Sequence, residues 1–163
     1  MAGADARAAQ AGARGLKLHP VAQRFRIDDP RVAECVADAT ERGWPVLIHA
    51  GFGARALAAP LRHLLDAVPR ARLILAHGAR GDARAVTAAL AHHPGVWFDT
   101  SLAALPDLVD LPPSRLLFGS DRPYGEHATA LQLVALAAHV AGWSGADTAG
   151  VLGGNLRGLL GAA

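Results

Sequence analysis

Three apolar segments of this sequence each run into a side chain that can bind a metal ion or move a proton: His49, His77 and Asp121. These side chains close the runs PVLIH, LILAH and LLFGSD. Imidazole and carboxylate groups are common ligands of Zn²⁺, and both can act as general acids or bases. If the three side chains lie together, the sequence predicts a metal centre or an acid–base site.

Two further segments end in polar residues, LKLHP with Lys17 and His19, and VWFD with Asp99. Lys17 is the only lysine of the chain, and it could hold a substrate carboxylate, carry a carbamate between two metal ions or form a structural ion pair. His19 and Arg122 are further candidates for substrate contact. Ser101, two residues after Asp99, could line the same site.

The segments that precede these residues are typical of buried parallel strands, because they are short, apolar and bounded by glycine or proline. We expect the first strand at LKLHP and a helix after it, from about Pro30 to Gly43. Further strands are expected at 45–49, 72–77, 95–99 and 115–120. Further helices are expected near 54–67, 81–91 and 126–141. Strands that alternate with helices predict an α/β fold with right-handed crossovers. The carboxyl ends of parallel strands share one edge of the sheet, so His49, His77 and Asp121 are expected to meet there.

Composition favours one domain, residues 1–163, since 52% of the 163 residues are hydrophobic. The net charge is +2 and the arginines are scattered, which argues against a nucleic-acid partner. No apolar run is long enough for a membrane span, so no membrane partner is expected. Because Cys35 is the single cysteine, no internal disulfide is possible and a reducing, cytoplasmic location is expected.

One competing motif is GFGARA, which begins at Gly51 and matches a dinucleotide-binding pattern after a strand. That pattern requires an acidic residue at the end of the following strand, where this chain has His77. A nucleotide cofactor is therefore not expected. Ser120 lies outside any Gly-x-Ser-x-Gly motif, which argues against serine catalysis.

Taken together, five motifs resemble the amidohydrolase-related branch of the metal-dependent amidohydrolase superfamily. In order, GLKLHP, PVLIHAG, LAHG, WFDTS and LFGSDRPYG are similar to strands four to eight of that family, and NLRGLL is similar to its closing helix. The resemblance implies a partial TIM (β/α)₈ barrel of about five parallel strands. It also implies that the three amino-terminal βα units are missing, as in a truncated reading frame or a split protein.

The resemblance further implies that His49 and Asp121 ligate a divalent ion, most commonly zinc. His77 then acts beside it as a catalytic acid or base, or as a ligand of a second metal. Family members take two more ligands from a His-x-His pair, which this sequence lacks. A metal held by two ligands alone should bind weakly.

Three functions follow from the resemblance. The first is a metal-dependent hydrolase of a small-molecule substrate, with Asp121 and His77 as catalytic residues. The second is a non-oxidative decarboxylase, a lyase on the same site. The third is a non-catalytic remnant, or half of an enzyme whose partner is a complementing amino-terminal half; a homo-oligomer is also possible.

Overall fold

Five short parallel strands form one sheet in a computed structural model that describes residues 8–54, 56–80, 82–90 and 93–161. The strands are β1 Leu16–Leu18, β2 Val46–Ile48, β3 Leu73–Leu75, β4 Val96–Asp99 and β5 Leu116–Leu117. They are ordered β1-β2-β3-β4-β5, as successive right-handed βα units predict. The predicted α/β class is thus confirmed.

Eight helices lie between and after the strands in the described residues. They are α1 Pro20–Gln23, α2 Pro30–Glu41, α3 Ala58–Ala67, α4 Ala83–Leu90, α5 Leu105–Val109, α6 His127–Ala141, α7 Gly145–Ala149 and α8 Asn155–Leu160. Asp29 begins α2 by accepting a hydrogen bond from the Arg31 N–H, and Pro30 supplies the preset φ angle of a first turn. Ser144 and Asp147 form a reciprocal capping box at α7.

Three predicted boundaries are wrong: the start of α3 and the ends of β5 and β3. Helix α3 begins at Ala58 instead of 54, because the Leu57 N–H donates to the carboxylate of Asp82 at 2.6 Å and the preceding residues form a loop. Strand β5 ends at Leu117 instead of 120. The Phe118 N–H donates to the Val151 carbonyl at 2.9 Å, outside the sheet, so the strand hydrogen bonds stop there.

Strand β3 also ends earlier than predicted, at Leu75, and a 3₁₀ turn follows at Ala76–Ala79. Within that turn His77, Gly78 and Ala79 have φ angles of 61°, 63° and 52°. Left-handed backbone is costly for residues with a Cβ atom and is held only where surrounding contacts require it. His77 therefore lies in a constrained turn just beyond the strand.

The main core lies between the sheet and its helices. Alternate strand residues, among them Val46, Ile48, Leu73 and Leu75, are completely buried on this face. Leu61 and Leu64 of α3 pack in the same cluster. A β-strand directs successive side chains to opposite faces, so the residues between these point to the other side of the sheet.

That other side, the inner face of the sheet, carries a second and smaller apolar cluster. Register places Lys17, Leu47, Ile74 and Trp97 side by side on β1 to β4. Leu159 of α8 packs on this cluster with Ile74 and Leu117. The last helix thus covers part of the inner face. Among the described residues, no helix has both the length and the apolar character needed to cross a bilayer.

Candidate functional site

His49 and His77 meet at the carboxyl ends of β2 and β3. Nδ1 of His49 lies 3.2 Å from Nε2 of His77, and the two rings pack edge to face with centroids 4.9 Å apart. Both side chains are buried, with 7% and 4% of their surface exposed. The structure therefore brings together two of the three side chains on which the predicted site depends.

A backbone carbonyl lies at each end of this histidine pair. Nε2 of His49 is 3.2 Å from the Phe52 carbonyl oxygen, and Nδ1 of His77 is 3.0 Å from the Ser101 carbonyl oxygen. Carbonyl oxygens only accept, so the three contacts along the chain need three hydrogens, whereas two neutral imidazoles carry two. At one of the three contacts two electron pairs therefore face each other with no hydrogen between them. A cation would be stabilised at that position.

Burial opposes a third proton on this pair. Desolvation lowers the pKa of His49 below its usual value, and the nearby His19, His77 and Lys17 lower it further, while the hydrogen bond to Phe52 acts in the opposite direction. The imidazole of His49 is therefore held neutral. A neutral imidazole is the form that ligates metal ions.

Gly51 makes room for His77. A Cβ atom at position 51 would lie 2.7 Å from Cδ2 and 2.9 Å from Cβ of His77, which is closer than any ordinary contact. Glycine is required here because two chain segments approach each other closely. Gly51 and the ring of Phe52, 5.5 Å from that of His77, were not singled out as site residues from the sequence. The glycine that follows His49 is the one signal that could have pointed to them.

Asp99 and Ser101 support His77 from β4. The Asp99 carboxylate accepts a hydrogen bond from the Ser101 N–H at 2.7 Å and another from the Ser101 hydroxyl. The Ser101 hydroxyl lies 3.3 Å from Nδ1 of His77. Asp99, Ser101, His77 and His49 thus form one continuous polar chain across three strands.

His19 contacts His49 on its other side. The two imidazole rings stack with centroids 3.9 Å apart and an interplanar angle of 12°. Nδ1 of His19 accepts a hydrogen bond from the Ala22 N–H at 3.2 Å and so caps α1. One ring nitrogen of His19 is therefore structural, and Nε2 is the atom that can face a substrate.

Lys17 lies on the inner face of β1, within electrostatic range of Asp99 and Asp121. Desolvation lowers the pKa of its ammonium group, and the two carboxylates oppose that shift. Asp121 follows β5 by four residues and has a left-handed φ of 56°. Among the described residues, no hydrogen bond joins its carboxylate to His49 or His77. The sequence predicted that Asp121 directly follows the last strand, whereas β5 ends at Leu117, four residues earlier.

Arg122, the remaining candidate, and the other histidines lie apart from this site. Arg122 is exposed, as are His63 on α3 and His139 on α6. His93 joins two loops by hydrogen bonds. Its Nε2 donates to the Pro69 carbonyl at 2.7 Å, and its Nδ1 accepts from the Gly95 N–H. His92 lies outside the described residues.

A largely apolar cavity of about 660 Å³ opens beside His49. Its walls include Val21 of α1 and Phe25 just after it, together with Leu57 and Pro60 at the start of α3. Arg24 and Arg26 stand among its polar lining residues. Clefts of this size and composition are typical small-molecule sites, so the cavity is a candidate entrance for substrate.

The site supplies only part of the ligand set that a catalytic metal ion needs. His49 offers a neutral imidazole and Asp121 a carboxylate, both suitable for zinc, and the histidine pair leaves one contact that a cation would satisfy. A catalytic zinc usually has three protein ligands. Within the described residues, no group of three or more histidine, cysteine or acidic side chains could hold a metal. His49 and Asp121 are therefore suitable ligands for zinc, but they are fewer than the three protein ligands of a usual catalytic site.

Ionisable side chains at the carboxyl ends of parallel strands are the arrangement in which (β/α)₈ barrels build their active sites. The family model described as amidohydrolase matches residues 2–161, and this chain belongs to that family. The predicted family is therefore confirmed. No curated protein matched the chain.

Solved structures agree with this fold. An uncharacterised TIM-barrel protein of Bordetella bronchiseptica is 17% identical with a TM-score of 0.74, covering 96% of this chain and 60% of that one. An amidohydrolase of Burkholderia multivorans with bound zinc is 20% identical, with a TM-score of 0.65 and coverages of 83% and 58%. A probable 2-pyrone-4,6-dicarboxylic acid hydrolase of Acinetobacter baumannii is 16% identical, with a TM-score of 0.60 and coverages of 92% and 65%. The chain thus spans roughly three fifths of the length of these proteins.

Proposed function

We propose that this chain carries the carboxyl-terminal part of the active site of a metal-dependent hydrolase that acts on a small molecule. The observation that carries the proposal is the buried pair of His49 and His77 at neighbouring strand ends, in a chain of the amidohydrolase family. Because the described donors are too few for a catalytic zinc, the complete enzyme takes further ligands from other polypeptide.

In this proposal His49 and Asp121 would hold the divalent ion. Support comes from the bound zinc of the similar amidohydrolase of Burkholderia multivorans. When bound, such an ion supplies Lewis acidity and lowers the pKa of water to about 7. Asp121 accepts a proton from the attacking water, and His77 exchanges a proton with the substrate, whose leaving group departs protonated.

Lys17, His19 and Arg122 would contact the substrate. Lys17 and Arg122 are cationic, and Nε2 of His19 is open to a ligand beside the cavity at His49. Arg24 and Arg26 line the apolar cavity itself, and cationic side chains there favour a small molecule with a negatively charged group. The cytoplasmic location expected from the cysteine count is part of the same proposal.

A non-oxidative decarboxylase is the second candidate, and Lys17 is the observation that favours it. An ammonium group on the inner face of the sheet could hold a substrate carboxylate, while Asp121 or His77 delivers a proton to the carbon that loses CO₂. Release of CO₂ with loss of a carboxylate would identify this reaction. Hydrolysis instead consumes water and yields two products without CO₂.

Metal content distinguishes an enzyme from a non-catalytic remnant. The chain is purified from zinc-supplemented cells, alone and with an amino-terminal barrel half from a related amidohydrolase, and its zinc is measured by elemental analysis. Zinc bound near one equivalent in either preparation supports the proposal. A chain that takes up no zinc in both would contradict it and favour the remnant.

A further inference from the structure

We infer that Asp99, acting through Ser101, holds His77 as the tautomer with its hydrogen on Nδ1, so that Nε2 carries the free electron pair. Asp99 is in this sense a positioning residue. The inference deepens the proposed function and rests on it only for the participation of His77 in the reaction. It says which nitrogen of neutral His77 carries the hydrogen.

The first step is the environment of Nδ1. The Ser101 carbonyl oxygen lies 3.0 Å from this atom, and a carbonyl oxygen has no hydrogen to give. The contact is a hydrogen bond only if Nδ1 carries the hydrogen and donates it. A neutral imidazole with hydrogen on Nδ1 has an electron pair on Nε2.

The second step concerns the Ser101 hydroxyl, which is 3.3 Å from the same nitrogen. A hydroxyl can either donate or accept, so by itself it would permit both tautomers. Its one hydrogen is donated to the Asp99 carboxylate, which can only accept. The hydroxyl therefore presents an electron pair to His77 and becomes a second acceptor at Nδ1.

The third step is what fixes Asp99. Its carboxylate also accepts from the Ser101 N–H at 2.7 Å, and it occupies space that a side chain at Gly119 would fill. Lys17 provides a nearby positive charge. Ser101 and His77 have only 2% and 4% of their surface exposed, so water does not compete for these contacts. The carboxylate, the hydroxyl and the imidazole are thus oriented together.

The consequence concerns the contact between the two histidines. Nε2 of His77 lies 3.2 Å from Nδ1 of His49. In the inferred tautomer Nε2 has an electron pair and no hydrogen, so His77 accepts at this contact and does not donate.

The test is ¹⁵N NMR of the imidazole rings in the full chain labelled at histidine. Spectra are recorded with a chelator at about pH 8, where an imidazole of ordinary pKa, about 6.5, is neutral. The His77 signals are assigned by their loss in His77→Asn. We expect Nδ1 of His77 at the position of a protonated nitrogen and Nε2 at that of an unprotonated one. The reverse pattern would overturn the inference.

Two variants test the role of Asp99. In Asp99→Ala the Ser101 hydroxyl is free to donate to Nδ1, so both His77 signals should shift toward the positions of the other tautomer. In the double variant Asp99→Ala with Ser101→Ala the hydroxyl is gone and the carbonyl remains, so the signals should return. Unchanged signals in the first variant, or no return in the second, would contradict positioning by Asp99. His139 on the surface of α6 is the internal reference. Because no metal is present, failure of the proposed function would leave these results unaffected.

Discussion

Nδ1 of His49 and Nε2 of His77 lie 3.2 Å apart, although 28 residues separate the two histidines in the sequence. The contact follows from the parallel pairing of β2 with β3, which aligns Ile48 with Leu75 and brings the residues after both strands to one edge. The site is therefore built by strand register, and small changes at that edge should alter it.

Gly51→Ala should displace the imidazole of His77. The new Cβ atom would lie 2.7 Å from its Cδ2, and relieving such a contact in a packed region costs about 1–3 kcal/mol of the free energy of unfolding. Denaturant unfolding measures this loss, and the His77 ring signals should shift. Gly158→Ala on α8 is the matched control, because a Cβ atom there meets nothing within 4 Å. Equal stabilities of the two variants would show that residue 51 does not constrain His77.

Leu159→Ala should weaken the packing of α8 on the inner face of the sheet. This side chain is 6% exposed and packs with Ile74 and Leu117, so its truncation should lower the free energy of unfolding by about 2–5 kcal/mol. Leu156→Ala in the same helix is the control, since Leu156 is 36% exposed and should cost much less. If Leu156→Ala lowered the free energy of unfolding more than Leu159→Ala, the packing of Leu159 on the sheet would be contradicted.

The lowered pKa of His49 makes part of the stability pH-dependent. Because burial disfavours the charged ring, the unfolded chain binds more protons than the folded one just below the usual histidine pKa of about 6.5. The stability from the neutral ring is present above that pH and is lost as pH falls through the lower folded pKa. The stability of the wild type relative to His49→Gln, measured by urea unfolding, should therefore fall on acidification from about pH 7 to about pH 5. A relative stability that rises over this range would contradict the assignment.

Asp29 should contribute to acid unfolding in a lower pH range. The hydrogen bond from the Arg31 guanidinium, followed by that from the Arg31 N–H, lowers the pKa of this carboxyl from 3.8 to about 2. The stability that the ionised Asp29 carboxylate adds to the fold is present above pH 3.8 and is lost as pH falls toward 2. The stability difference between the wild type and Asp29→Asn, followed by circular dichroism, should shrink over that interval. A difference that stays constant would show that Asp29 does not titrate with folding.

Much of the fold could be predicted from local sequence. Short, largely apolar segments identified all five strands, and the Asp29-Pro30 signal located the start of α2. Repetition of a histidine after two neighbouring strands also predicted that His49 and His77 meet. These features depend on side-chain pattern and on the fixed geometry of parallel pairing, which a single sequence contains.

Other features depend on contacts between distant segments and could not be predicted. The end of β5 is set by a hydrogen bond from Phe118 to Val151, and the left-handed turn at His77 is held by its surroundings. The role of Ser101 in orienting His77 needs three segments in place at once. The roles of His49, His77 and Asp121 in metal binding and catalysis stay predictions.

Zinc affinity tests the central claim most directly. Isothermal titration of the metal-free chain with zinc should show one weak site, because His49 and Asp121 supply only two ligands. His49→Ala and Asp121→Ala should each weaken binding by about tenfold or more, as the loss of a contact at a metal site does. His139→Ala, which removes an exposed imidazole, should bind like the wild type. Zinc binding that is equally tight in His49→Ala, Asp121→Ala and the wild type would contradict the proposed metal centre.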